Sequence, residues 1–220
     1  INNGFANPFY LDATVSRAQL KKGHLWLTLT DGKASISGVV WSSSLNKLNF
    51  RPKEQDGVHI LAKLNFWESR ASLMIQVIDI RPTISTVLRK FEVVSELLPK
   101  EGLISQERRR KLPRHPNAIA ILTSVPSSAL ADMLRTAKER WPLTRLFICS
   151  IPVQGEVANQ IIFGLDYLAV NYSSLGIEAI VLARGGGSRE DMSVFDNEDL
   201  CRKLADFPLP VVTGLGHEDD

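Results

Sequence analysis

The sequence predicts a multidomain β plus α/β protein, with a small N-terminal β-barrel followed by an open, mostly parallel α/β sheet. Three observations carry the prediction. Apolar residues alternate with period two as far as about Ile80. From Ala118 onward, short apolar runs alternate with longer stretches of helical periodicity. Charge divides in the same way: residues 1–116 hold 18 Lys+Arg against 10 Asp+Glu, and residues 117–220 hold 8 against 14. A basic half joined to an acidic half suits a polyanion-binding module attached to a carboxylate-bearing catalytic one, and suits equally two solvated surfaces that differ.

The barrel is assigned to residues 1–82. Leu25, Leu27 and Leu29 alternate with Trp26, Thr28 and Thr30, and Asp31-Gly32 marks a hairpin turn. Ala34, Ile36, Gly38 and Val40 resume the alternation. Ile60, Ala62, Leu64 and Phe66 pair with Leu73, Ile75 and Val77 across Glu68-Ser69-Arg70. Five short strands in about 70 residues suit an OB-fold, a barrel that commonly binds single nucleic-acid strands with basic grooves and aromatic platforms. Trp26 is the leading stacking candidate, because it has the phase opposite to the core leucines; Trp41 and Trp67 follow it. Each tryptophan also has a plain reading as a core or barrel-end residue. Lys33, with Lys21, Lys22, Lys47, Arg51, Lys53 and Lys63, would supply phosphate-facing charge.

Residues 83–116 read as a helical and basic connector. Ile84, Val87, Leu88, Phe91, Val94, Leu97 and Leu98 recur at helical spacing, and Pro99 and Gly102 are expected to end the helix. Arg108-Arg109-Arg110-Lys111 then forms a solvated loop or, through Arg109 and Arg110, a guide for a nucleic-acid strand.

Residues 117–220 alternate strand and helix: strands at 119–122, 146–148, 179–183 and 210–213, and helices at 127–140, 157–172 and 197–205. In a parallel sheet the carboxyl ends of the strands share one edge, where ligands bind. Here those ends carry Thr123-Ser124 with Asp132 beyond, Gln154-Gly155-Glu156, Arg184 with Gly185-Gly186-Gly187-Ser188, and Gly216-His217-Glu218-Asp219-Asp220. Consecutive glycines let backbone N–H groups line an anion pocket, and an arginine adds a planar charge suited to phosphate. His217 and Asp220 are three apart, so on a helix the carboxylate would orient the imidazole for acid–base work. Asp132 would position a water or hold a metal. The plain alternatives are a helix cap for His217, an Arg184–Asp191 pair, and an Asp132 that complements a helix dipole.

The remaining features bound the answer. A hydrophobic fraction of 44% supports a real core, and no apolar run reaches the roughly 20 residues of a membrane span. Cys149 and Cys201 form no metal or disulfide framework, which suits a reduced, cytoplasmic protein. Asp132, Glu218, Asp219 and Asp220 could gather around Mg²⁺, but no familiar metal spacing is present, and neither is a P-loop nor a G-x-G-x-x-G pattern. The chain begins at Ile1 rather than methionine and reads as cut at its start.

Several separated motifs resemble, in order, those of the exodeoxyribonuclease VII large-subunit family: Gly23-His24-Leu25-Trp26 to Asp31, Glu101-Gly102-Leu103 before Lys111-Leu112-Pro113, Thr123-Ser124 leading to Asp132, Pro152-Val153-Gln154-Gly155 with Ala158, Arg184 to Asp191 with Phe195, and Gly216-His217-Glu218 with Asp220. The resemblance implies an OB-fold for DNA binding, and a catalytic domain that hydrolyses single-stranded DNA from either end to short oligonucleotides. It implies Asp132, Arg184, His217 and Asp220 as the catalytic group, with no required metal and with Mg²⁺ assistance left open. It implies a small-subunit partner for the full-length protein, not expected for this 220-residue stretch. Thr30 stands where the family has lysine, Ala71 where it has a turn glycine, and Met192-Ser193 where it has a bulky pair.

Overall fold

The computed structural model describes residues 7–67, 71–153, 157–185 and 189–216. They form two compact units, one up to Arg89 and the other from Lys90 onward.

In the first unit β1 (Phe9–Lys21), β2 (His24–Thr30), β3 (Ser35–Val40), β4 (Gly57–Trp67) and β5 (Ser72–Pro82) close into a barrel in the order β1-β2-β3-β5-β4. This is the OB-fold expected from the alternation. β3 and β5 pair in parallel, every other pair is antiparallel, and β4 returns to β1. A single turn of helix, α1 (Ser42–Leu45), follows β3. Leu25, Leu27 and Leu29 do face the core, with Val15, Val58, Ile60, Ile75, Val77 and Ile80.

The strand the alternation did not single out is the longest, β1. Leu11, Ala13 and Val15 point inward, then the register slips between Val15 and Arg17 and Ala18 takes over the inward phase. A bulge of this kind bends the strand and moves its core residues from odd to even positions.

The hairpin turns are chemically specified. Lys22 and Gly23 both have positive φ (51° and 78°) between β1 and β2, as a two-residue primed turn requires. In the next turn Asp31 Oδ1 accepts the N–H groups of Ala34 and Lys33, which hold its carboxyl below the usual carboxylate range. Thr30, the departure from the family lysine, accepts from Gly32 N–H and donates to the Ala34 carbonyl, so it builds this turn. Ala71 adopts φ 44°, the left-handed region that favours the family's glycine.

α2 (Ile84–Lys100) starts against the barrel. Thr86 Oγ1 accepts Gly57 N–H and donates to its carbonyl, and a Cβ at Gly57 would stand 2.7 Å from Thr83 Oγ1. Pro99 does not end this helix, contrary to the sequence expectation: it lies inside the last turn. The stop is Gly102 (φ 70°), where Leu103 N–H bonds the Leu98 carbonyl and Gly102 N–H bonds that of Pro99. This is a Schellman closure.

The second unit holds β6 (Ala118–Thr123), α3 (Ser128–Arg140), β7 (Arg145–Ser150), α4 (Val157–Leu175), β8 (Ala179–Arg184), α5 (Arg189–Met192), α6 (Glu198–Asp206) and β9 (Val211–Leu215). Its four strands are all parallel, in the order β7-β6-β8-β9. Ser127 and Asn197 cap α3 and α6, their side chains accepting from Leu130 and Leu200 N–H. One face of the sheet, with Ala118, Ala120, Leu122, Ile180 and Leu182, packs on Ile161, Leu165 and Leu168 of α4 and Leu200 of α6. Starting from β6, the chain moves to one side for β7 and to the other for β8 and β9. That reversal makes a topological switch point between the carboxyl ends of β6 and β8, the position at which open α/β sheets bind ligands.

Candidate nucleic-acid interface and active site

On the barrel, Trp26 does not stand alone. Its ring stacks on Trp67 at 5.9 Å with planes 13° apart, and meets Trp41 edge-on at 6.5 Å. His24 meets Trp41 edge-on at 5.0 Å and accepts Ser42 N–H on Nδ1. The cluster lies outside the barrel core, on the outward phase of β2. Val39, directly opposite Trp26, and Met74 are buried on that phase without belonging to the core cluster. The tryptophans therefore have a packing role, and their part-exposed rings also present an aromatic platform. Trp41 and Trp67, ranked behind Trp26 from the sequence, belong to the same platform. Lys33 lies in the exposed β2–β3 turn.

The basic run after α2 has specific partners in its own unit. Arg108 pairs with Asp206 at 2.7 Å, and Arg110 Nη1 donates to the Ala205 carbonyl at 3.2 Å. Both bind the carboxyl end of α6, where the helix dipole favours cations. Glu101 receives a two-pronged bond from Arg202 of α6, which also holds Glu198. The Arg202 guanidinium holds the Glu101 carboxyl below its usual range, and the two carboxylates raise Arg202 further. Arg109 is exposed.

At the switch point, Arg184 ends β8, level with Leu215 of β9, and its carbonyl accepts Gly216 N–H at 3.3 Å. Arg184 Nη1 donates to the backbone carbonyl of Asp191 at 2.8 Å, so the contact anticipated with Asp191 is made to its main chain. That bond ties the end of β8 to α5. A Cβ on Gly185 would lie 3.9 Å from both Ala129 Cβ and Ser128 Oγ. The start of the loop is therefore beside the first turn of α3. Asp132 follows Ser128 by four residues on the same helix face, about 6 Å along the axis. It lies past the first turn, which weakens the dipole reading, and pairs with Arg135 at 2.9 Å with both side chains largely exposed. Such a pair is weak and exchangeable.

Gly186, Gly187, Ser188, His217 and Asp220 lie outside the described residues, as do Gln154, Gly155 and Glu156. Among the described residues no three His, Cys, Asp or Glu side chains group as a metal site. Burial raises the thiols of Cys149 and Cys201, which disfavours thiolate chemistry. No helix among the described residues is long and apolar enough to cross a membrane.

An OB barrel with a part-exposed aromatic platform, ahead of a parallel α/β sheet with Arg184 and Gly185 at the carboxyl end of β8, defines a two-unit OB-fold and α/β protein. The comparisons agree: residues 1–81 match the OB-fold nucleic acid binding domain, and residues 103–220 match the exonuclease VII large subunit. The chain belongs to the exonuclease VII large subunit family. It is 65% identical over 220 residues to the exodeoxyribonuclease 7 large subunit of Synechococcus sp. (strain CC9605), covering all of this chain and 57% of that protein. It is 36% identical over 216 residues to that of Carboxydothermus hydrogenoformans, covering 97% of this chain and 45% of the relative. The chain thus spans about half the length of the curated relatives it matches.

Proposed function

We propose that this chain is the DNA-binding and catalytic portion of an exonuclease that hydrolyses phosphodiester bonds of single-stranded DNA to short oligonucleotides in the cytoplasm. The observation that carries the reading is the carboxyl end of β8 at the sheet's switch point, where Arg184 is held against α5 and Gly185 lies against the first turn of α3. The 65% identity to a relative named as an exodeoxyribonuclease large subunit supports it.

In this mechanism the strand lies over the barrel, a base stacks on the Trp26 platform, and Lys33 and Arg109 meet its phosphates. Arg110 contributes at long range from its seat on α6. Arg184 and the N–H groups of Gly185, Gly186, Gly187 and Ser188 hold the non-bridging oxygens as charge grows on phosphorus. Water attacks phosphorus and the P–O bond to the leaving strand breaks. His217, oriented by Asp220, carries the proton from water toward the leaving oxygen. Asp132 positions the water. The chemistry needs no resident metal ion, and Mg²⁺ would serve only to assist. The full-length protein works with a small subunit.

The test is degradation of a labelled single-stranded oligonucleotide in chelator, by the full natural protein with its small subunit and by the His217→Ala variant. Cleavage by the first and none by the second is expected. Tight binding without cleavage by either, in chelator or in Mg²⁺, would replace the nuclease with a non-catalytic single-strand-binding module.

A further inference from the structure

Thr123 closes the central strand β6. The residue is wholly buried, and its Oγ1 has no hydrogen-bond partner among the described residues. A buried hydroxyl without a partner costs free energy that an isosteric valine would not, so it calls for an explanation.

Its direction is fixed by the sheet. On β6, Ala118, Ala120 and Leu122 face the core under α4 and α6, which puts Ile119, Ile121 and Thr123 on the opposite face. On β8 that opposite face carries Val181, Ala183 and Gly185, and a Cβ at Gly185 would meet Ser128 and Ala129. The face is therefore the one α3 covers. Since Leu122 pairs with Leu182, Thr123 is level with Ala183, just beneath the start of α3.

That start has its own open donors. Ser127 Oγ accepts from Leu130 N–H and the Ser127 carbonyl accepts from Ala131 N–H. Ser128 and Ala129 N–H have no acceptor within the helix, and they point out at the positive end of its dipole. An unsatisfied buried hydroxyl and two helix-end N–H groups thus lie on the same face of the sheet, at its carboxyl edge.

We propose that Thr123 and the first turn of α3 form a phosphate subsite that takes an oxygen of the DNA phosphodiester at the carboxyl end of β6. This rests on the reading of the chain as a nuclease. Thr123 donates its hydroxyl to the phosphate oxygen. In so enclosed a setting a bond to a charged acceptor is stronger than the same bond in water.

The test compares Thr123→Val, which keeps the shape and removes the hydroxyl, with Thr123→Ser, which keeps the hydroxyl, in the full natural protein. The proposal expects Thr123→Val to hold or raise the melting temperature while kcat/KM on a single-stranded oligonucleotide falls roughly 10- to 100-fold. Thr123→Ser should stay within about threefold of wild type. Wild-type kcat/KM in Thr123→Val would overturn the subsite while leaving the nuclease reading intact. Loss of activity together with a lowered melting temperature would also overturn it, by showing that the hydroxyl is structural. If the wild-type protein cleaves nothing, the nuclease reading fails on its own. The subsite is then judged by the thermal shift that a 5′-phosphorylated oligothymidine, with inorganic phosphate as control, gives in each protein. A shift present in wild type and Thr123→Ser but lost in Thr123→Val upholds it. No shift in wild type, or an equal one in Thr123→Val, overturns it.

Discussion

In the barrel β4 pairs back onto β1, and every strand has two neighbours. In the α/β sheet β7 and β9 are edges among the described residues, and all four strands point the same way. The consequence for function is direct. A closed barrel of mostly antiparallel pairs has no privileged end, so its polar and aromatic groups are spread over an outer surface: Trp26, Trp41 and Trp67 on one patch, Lys33 in a turn. A parallel sheet sends every strand's carboxyl end to one edge and reverses its order at one point. Arg184, Gly185 and Thr123 all stand at that edge, with Gly185 against the first turn of α3, because topology sends every strand's carboxyl end there. Surface display suits a ligand that slides, and convergence suits a bond that must be held still.

The sharpest break of this comparison is a crossed pair of substitutions. Arg184→Ala should lower single-turnover cleavage about 10²- to 10³-fold, the usual loss for a charge-stabilising donor. Its single-strand affinity, read by fluorescence anisotropy, should stay nearly unchanged. Trp26→Ala should do the reverse, weakening binding about tenfold or more, the worth of one stacked base. Its maximal single-turnover rate should be kept at saturating protein. If both variants lose binding and rate together, the two regions do not divide the work.

The same contrast explains what the sequence made legible. Period-two alternation exposed β2, β3, β4 and the first half of β5 because their inward residues keep one phase there, before β5 shifts phase between Val77 and Ile80. β1 hid because its bulge turns both Val15 and Ala18 inward. Pro99 misled because a proline in the last turn still leaves the carbonyls ahead of it for the Gly102 closure. At the parallel sheet, reading strand ends was enough to place Thr123, Arg184 and Gly185 at the carboxyl edge, since parallel topology sends every strand end there. On the barrel the shared face of Trp26, Trp41 and Trp67 depends on strand pairing that spacing does not encode. The seats of Arg108 and Arg110 on α6, nearly a hundred residues away in sequence, were equally invisible.

Ion pairs divide the two units in a second way. In the barrel unit Asp56 is buried, its side chain 2% exposed; it accepts Lys53 N–H and pairs with Arg89 at 3.1 Å. Val15 N–H also bonds the Asp56 carbonyl, so this residue locks the β4 entry to β1. Asp56→Ala should cost about 2 kcal/mol, mostly from the lost charge-assisted bonds, because Arg89 is half exposed and can return to water. Urea unfolding followed by tryptophan fluorescence reports the barrel selectively, since three of the four tryptophans belong to it. An unchanged first transition would mean that Asp56 does not hold the barrel closed.

The smallest effect belongs to the corresponding pair in the α/β unit. Glu101 bridges to Arg202 at the surface, and that guanidinium lowers its carboxyl below the ordinary value of 4.5. A carboxyl whose folded pKa is depressed stabilises the fold above its unfolded value, and the contribution disappears as pH falls through the folded one. Wild type should therefore be slightly more stable than Glu101→Gln at pH 7. The gap should close on acidification below about pH 4.5, and it should shrink with added salt because the pair is in reach of solvent. Calorimetric melting of both proteins at pH 7, 4.5 and 3 measures this directly. A gap that does not narrow between pH 7 and pH 3 would show that Glu101 holds α6 by shape and hydrogen bonding that glutamine cannot copy, rather than by charge.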